Sequence, residues 1–208
     1  EKGVAEVVNK FFGTLKNVYS FYVTYANIDN FQVKDEDISD VKQIEIDKWI
    51  ISRLHTLIKT VTENTEVYDL TKGVRAIQSF VIDDLSNWYV RRSRRRYWNL
   101  ELNEDKQQAY ITLYQVLIAV SKLTAPFAPF LSDEIFTNLT GKESIHLERF
   151  PEVNESVIFQ DLEEEMQTVI DLVSLGRAAR NTCSIKVRQT LQALYVPEKH
   201  HHLILRME

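Results

Sequence analysis

The sequence predicts a mainly α-helical protein, an antiparallel helix bundle with a small α/β appendage at its C-terminal end. Residues that break helices are rare, with five glycines and four prolines among 208 residues, while good helix formers are common. Apolar residues also recur at steps of three and four along most of the chain, which places them on one face of each helix. A hydrophobic content of 44% is enough to form a sizeable core.

Apolar stripes and capping residues place the first four helices. The first runs from about residue 4 to residue 26, and the second carries its stripe over residues 46–61. The third begins after Asp69, whose carboxylate can accept hydrogen bonds from the free amides of the first turn, and continues to Trp98. Asn103 is a second capping residue and predicts the start of the fourth helix.

Helix breakers divide the next part of the chain. Pro126 and Pro129 interrupt the apolar pattern, and a short helix is predicted over residues 132–139. Gly141 is well placed to end that helix, because glycine adopts a left-handed conformation at little cost. The irregular stretch that follows contains a possible short strand, Ile145–Leu147.

The chain is predicted to have two parts. Residues 1–143 form the helical bundle. Residues 144–208 form a connecting segment, a last helix from about residue 161 to residue 181, and the start of a truncated subdomain. That subdomain is expected to be mixed α/β because β-prone residues follow the last helix, namely Ile185, Val187, Leu191 and Tyr195.

Five arginines between positions 91 and 96 are the strongest local anomaly in a chain whose formal net charge is −5. On a wheel of 100° per residue, the apolar stripe of the third helix points toward Arg92 and Arg95. These two therefore either pair with carboxylates in the fold or bind RNA. Arg91, Arg94 and Arg96 fall away from the stripe and are expected to face solvent or RNA. Their planar guanidinium groups are suited to binding phosphate oxygens.

Four aromatic residues flank the arginines and could stack on unpaired bases. The alternative is that they anchor the helix in the core or pack on arginine. Trp88 lies on the apolar stripe, so the core is favoured for it. The four are Trp88, Tyr89, Tyr97 and Trp98.

A second, weaker basic set is Arg177, Arg180, Lys186 and Arg188. Arg177 and Arg180 are three residues apart on the last predicted helix and are therefore neighbours. Lys186 and Arg188 would share one face of a strand. Scattered cations of this kind are also typical of an ordinary solvated surface.

The sequence offers no catalytic or metal site. Cys183 is the only cysteine, which excludes a disulfide and a cysteine-based zinc site within the chain. No glycine-rich phosphate loop is present, and no apolar run approaches the roughly 20 residues that a membrane span needs. A cytoplasmic, reducing location is expected, with no membrane partner and no cofactor bound to this chain.

Five strings in the correct order resemble the anticodon-binding domain of class I aminoacyl-tRNA synthetases. They are DKWIISRLH at 47–55, DLSNWYVRRSRRRYW at 84–98, LTAPFAPFLSDEIF at 123–136, SIHLERFP at 144–151 and IKVRQTL at 185–191. The arginine string and the KVRQ element are most similar to isoleucyl members, in the branch like archaeal and eukaryotic enzymes. Thr190 departs from the proline expected there and puts only the local turn in doubt.

The resemblance implies a helix bundle that receives the anticodon stem and loop of isoleucine tRNA and acts as a monomer. Phosphate contacts would come from the string Arg91–Arg96, with Lys186 and Arg188 as weaker candidates. The parent would be an ATP-dependent ligase that uses ATP and Mg²⁺ in an upstream catalytic domain, with an upstream editing domain. The two ATP-handling signatures of the family are absent from this chain, so the chain itself is expected to be non-catalytic.

Two other interpretations stay open at this point. The same domain could come from a valyl, leucyl or methionyl enzyme, and the residues at 91–96 and 185–189 discriminate between them. A helical protein–protein scaffold, in which the arginines bind an acidic partner, is the alternative from another functional class.

Overall fold

The computed structural model describes residues 8–33, 43–193, 195–198 and 203, and these residues include no β-strand. The predicted helix start at residue 4 and most of the acidic connection before residue 44 lie outside those ranges. Two compact units are present, residues 1–158 and residues 159–208. The α-helices are α1 Gly13–Asp29, α2 Glu45–Glu66, α3 Leu70–Ser79, α4 Arg91–Tyr97, α5 Glu104–Thr124, α6 Pro129–Thr140 and α7 Gln160–Thr182.

The predicted capping residues are confirmed. Asp69 Oδ1 accepts a hydrogen bond from the backbone N–H of Lys72 at 3.2 Å, and Asn103 Oδ1 accepts one from Lys106 at 2.8 Å. Each satisfies an amide that has no partner within its own helix. Gly141 has φ of +69° and ends α6, as predicted from its left-handed freedom.

The third predicted helix is continuous, but its winding changes along its length. Between α3 and α4 lies an 11-residue π-helical segment, Phe80–Val90, and the backbone stays helical at both junctions. A π-helix bonds residue i to residue i+5, so it holds more residues per turn than an α-helix. One extra residue rotates every later side chain by about 100° relative to an uninterrupted α-helix. We call the element formed by α3, this π segment and α4 the long helix.

The first compact unit is a helix bundle, which confirms the predicted fold class. Helices α2 and α3 are joined by only three residues and pack side by side, so they run antiparallel. Helix α5 packs against α1, α2, α4 and α6, and therefore lies centrally. The side chains with no exposed surface include Leu15, Ile50, Val61, Val81, Leu85, Leu113, Val116, Leu117 and Leu123.

The predicted strands are wrong in the part of the chain that the structure describes. Ile145–Leu147 is a 3₁₀ turn, because Asp133 Oδ1 accepts from both the Ile145 N–H and the Ser144 hydroxyl at 2.8 Å. A side chain thus takes the backbone donor that a neighbouring strand would otherwise bind. The segment after α7 also forms a turn, in which the Gln189 N–H donates to the Lys186 carbonyl at 2.9 Å.

A candidate nucleic-acid interface

Helix α4 carries the arginine string at the end of the long helix. Ser93 and Tyr97 point inward and are each only 1% exposed. The arginines around them point outward, with the exception of Arg96. Four guanidinium-bearing residues are exposed, and we call them the arginine face: Arg91, Arg92, Arg94 and Arg95.

The residues of α4 that face the core lie later in the sequence than the helical wheel predicts. Arg92 and Arg95 were expected to point toward the core, but both are exposed, whereas Ser93 and Tyr97 are buried and the Arg96 side chain is only 11% exposed. Arg96 was expected to face solvent, and that expectation is wrong as well. The π segment accounts for both errors, because its wider winding rotates every later side chain relative to an uninterrupted α-helix.

Arg96 is buried in an ion pair with Asp47, the third residue of α2. Its side chain is 11% exposed and that of Asp47 is 0% exposed. Nη1 and Nη2 of Arg96 donate to Oδ1 and Oδ2 of Asp47 at 2.8 and 2.9 Å, which is a bidentate arrangement. From the first turn of α5, Asp105 adds its carbonyl oxygen 2.9 Å from Nη2 and its carboxylate oxygen 2.9 Å from Nε.

The surroundings of this pair keep Arg96 charged and Tyr89 protonated. Burial disfavours the charged guanidinium, but the hydrogen bonds and the charge of Asp47 outweigh it and hold the pKa of Arg96 above its ordinary value. Burial, followed by the charge of Asp47, raises the pKa of Tyr89 well above its ordinary value. Tyr89 therefore stays protonated and donates its hydroxyl hydrogen to Asp47 Oδ1 at 2.7 Å.

The residues that follow Arg96 are also held by other helices. The Tyr97 hydroxyl donates to the Ala109 carbonyl of α5 at 2.8 Å. Trp98 Nε1 donates to the Tyr25 hydroxyl of α1 at 2.8 Å. The Asn99 carbonyl accepts from Lys106 Nζ of α5 at 2.8 Å. Residues 96–99 are thus each fixed by a partner outside the long helix, and we call these contacts the helix-end clamp.

The flanking aromatic residues divide into a buried group and one exposed member. Trp88, Tyr89 and Tyr97 are 7%, 0% and 1% exposed, so they belong to the core, as favoured for Trp88. The Arg92 guanidinium lies 5.1 Å from the centre of the Trp88 ring, within the range of a cation–π contact. Trp98 is 58% exposed, and it is the flanking aromatic residue that offers a ring face to solvent.

The second basic set lies in the unit of residues 159–208. Arg177, Lys186 and Arg188 are exposed. Arg180 is half-buried, and its Nη1 donates to the carbonyl oxygens of Lys186 and Gln189 at 3.1 and 2.8 Å. Lys186 and Arg188 therefore lie in a turn that Arg180 stabilises, and not on one strand face as predicted.

Asp47 and Tyr25 are site residues that sequence reasoning missed. An acidic residue in the first turn of a helix is common because it complements the helix dipole, so Asp47 carries no distinctive signal. Its partner Arg96 lies 49 residues later in the sequence. A buried partner for one arginine was predictable, because burying a guanidinium group alone is unfavourable, but the identity of that partner was not.

No group of three or more His, Cys, Asp or Glu side chains suited to a metal ion occurs in the described ranges. None of the described helices combines the length and the apolar character needed to cross a membrane.

The fold and the arginine face define a helical domain whose basic surface has the electrostatic footprint of a nucleic-acid binder. Residues 47–195 match the family described as the anticodon-binding domain of tRNA ligase. The chain belongs to that family.

Similar proteins carry a more specific name. An isoleucine–tRNA ligase of Clostridium acetobutylicum is 50% identical over 206 residues, which cover 96% of this chain and 20% of that enzyme. The isoleucine–tRNA ligase of Cytophaga hutchinsonii is 46% identical over 97% of this chain and 19% of its own length. That of Porphyromonas gingivalis is 48% identical over 94% of this chain and 17% of its own length.

The chain therefore spans about one fifth of the length of the curated relatives it matches. These relatives are bacterial. The predicted membership of a branch like archaeal and eukaryotic enzymes is not supported.

Proposed function

We propose that this chain binds the anticodon stem and loop of isoleucine tRNA, as a non-catalytic part of an isoleucine–tRNA ligase. The arginine face supports the proposal most directly, because four exposed guanidinium groups project from one short helix that the clamp holds in place. Planar guanidinium groups can donate two hydrogen bonds to phosphate oxygens, and they neutralise the charge of the RNA backbone. The isoleucine relatives support the choice of tRNA over the valyl, leucyl and methionyl alternatives.

In this proposal the parent enzyme joins isoleucine to its tRNA with ATP and Mg²⁺ in its catalytic domain, and an editing domain lies elsewhere in the same chain. Residues 1–143 receive the anticodon arm. Lys186, Arg188 and Arg177 are secondary phosphate contacts, while Arg180 acts through the turn that it holds. The parent functions as a monomer in the cytoplasm, where tRNA is charged for translation.

The proposal predicts discrimination by anticodon. The chain is titrated against labelled isoleucine tRNA and against the same tRNA carrying a valine anticodon, with fluorescence anisotropy as the readout. We expect at least about fivefold tighter binding to the isoleucine anticodon, the lower end of what one lost base contact costs. Equal affinity for the two RNAs would show that the domain binds RNA through charge alone and does not read the anticodon. No binding at low salt would favour the protein-scaffold alternative.

Trp98 is the residue that we propose for stacking on an unpaired anticodon-loop base. The residue is 58% exposed, and the hydrogen bond to Tyr25 fixes the orientation of its ring. Because stacking on an aromatic side chain contributes about 1–3 kcal/mol per base, Trp98→Ala is expected to weaken tRNA binding by about 5- to 150-fold. The measurement is the same anisotropy titration.

Two variants check this assignment. Trp98→Phe keeps a ring face and is expected to retain most of the affinity. Leu100→Ala removes a neighbouring apolar side chain that is 99% exposed, and it is expected to change little. An equal loss for Leu100→Ala and Trp98→Ala would show that Trp98 contributes no stacking.

A further inference from the structure

We propose that the buried pair of Asp47 and Arg96 is a positioning element for RNA binding, which orients the arginine face without touching RNA. This inference rests on the RNA-binding function proposed above. The pair would hold α4 so that several guanidinium groups reach backbone phosphates at the same time.

Arg96 is too buried to contact a phosphate. Its side chain is 11% exposed, and both Nη atoms donate to the Asp47 carboxylate. The second hydrogen of Nη2 goes to the Asp105 carbonyl, and Nε lies beside the Asp105 carboxylate. The exposed members of the string are therefore the ones available to RNA.

The same contacts fix the rotation of α4. A planar guanidinium bound through two nitrogens to one carboxylate has a defined orientation. Asp47 belongs to α2 and Asp105 to α5, so two elements of the bundle hold one side chain. Arg92 lies four residues before Arg96 on the same helix and Arg95 lies directly before it, so their directions follow from that of Arg96.

Stability alone gives no reason for charges at this place. Replacing a buried ion pair by well-packed apolar residues is often neutral or stabilising, because desolvation of two charges offsets their attraction. What this ion pair adds is geometric specificity, because a bidentate guanidinium–carboxylate contact has a defined orientation. At the end of a helix whose arginines must meet phosphates, that specificity has a use.

Simple electrostatics and positioning predict opposite effects of removing Asp47. A carboxylate beside a cationic face opposes the attraction of a polyanion. If charge alone mattered, Asp47→Asn would strengthen tRNA binding. If Asp47 positions the arginine face, the same change weakens binding, because fewer arginines contact phosphates together.

Asp84→Asn is the matched control. Asp84 also pairs with an arginine, accepting from Nε and Nη2 of Arg53 at 3.1 and 3.0 Å, and it lies in the π segment of the same long helix. Both variants replace one carboxylate by an amide and raise the net charge by the same amount. Asp47 contacts Arg96 of α4, whereas the carboxylate of Asp84 binds Arg53 of α2.

The experiment measures isoleucine-tRNA affinity over a salt series for the unaltered chain and both variants. We expect Asp47→Asn to weaken binding about tenfold and to make the slope of log K against log salt less negative by about one, the signature of a lost phosphate contact. Asp84→Asn is expected to bind as tightly as the unaltered chain or more tightly. Affinity and slope for Asp47→Asn that match those of Asp84→Asn would overturn the inference.

A second variant keeps the inference testable if Asp47→Asn is unfolded, which circular dichroism would detect. If Asp47→Asn does not fold, the double variant Asp47→Asn/Arg96→Gln replaces it, because it removes both buried charges and leaves the net charge unchanged. The same weakening is expected, and binding like that of the unaltered chain would overturn the inference. Absence of binding by the unaltered chain would overturn the RNA-binding proposal together with this one.

Discussion

Replacing Arg91 and Arg94 by alanine is expected to produce the largest loss of tRNA binding. Both side chains are exposed on α4, and their guanidinium groups form no ion pair with any described residue. If each contacts one phosphate, the slope of log K against log salt becomes less negative by about two in the double variant. At about 0.1 M salt this corresponds to roughly ten- to hundredfold weaker binding. Anisotropy titrations from 0.05 to 0.3 M salt, roughly the range in which such slopes are resolved, measure both quantities.

A control with the same change in charge is available elsewhere on the bundle. Lys16 on α1 and Arg75 on α3 are exposed, and neither lies on α4. Lys16→Ala/Arg75→Ala is expected to leave the slope within experimental error of the unaltered chain. Equal slopes for the two double variants would show that RNA responds to overall charge and that the arginine face has no special role.

Arg96→Ala is expected to produce the largest loss of stability among single changes in the arginine string. It leaves the Asp47 carboxylate, which is 0% exposed, without its cationic partner. Breaking a buried ion pair by removing one member costs about 3–5 kcal/mol. Urea unfolding followed by far-ultraviolet circular dichroism and by tryptophan fluorescence measures the change in the free energy of unfolding, because Trp49 and Trp88 lie in the same unit.

The neighbouring arginine provides the comparison. Arg95 is exposed, and alanine is a good helix former, so Arg95→Ala is expected to change the free energy of unfolding by less than about 0.5 kcal/mol. Similar losses for Arg95→Ala and Arg96→Ala would contradict the assignment of Arg96 to the fold and of Arg95 to the surface.

The helix order, the caps and the end of α6 were predictable because their signals are local. Asp69 and Asn103 cap the turn that directly follows them, and Gly141 needs only its own backbone freedom. Apolar spacing likewise reports the face of a helix within a few turns. The family resemblance located the arginine string as the candidate site, and the match to the anticodon-binding family covers that string.

What the sequence did not predict depends on contacts between distant residues or on helix winding. The turn at Lys186–Gln189 is held by Arg180, and that contact overrides the β-propensity of Ile185 and Val187, which depends on context. The Tyr89 and Arg96 contacts to Asp47 join positions 42 and 49 residues apart. No periodic pattern reports such pairs.

The π segment makes the surface chemistry of α4 depend on how the preceding residues are wound. If the same residues 80–90 were wound as an uninterrupted α-helix, α4 would rotate by about 100° relative to the bundle. Arg92 and Arg95 would then face the core, and Arg96 would leave Asp47. The winding of residues 80–90 therefore decides which arginines of α4 face solvent.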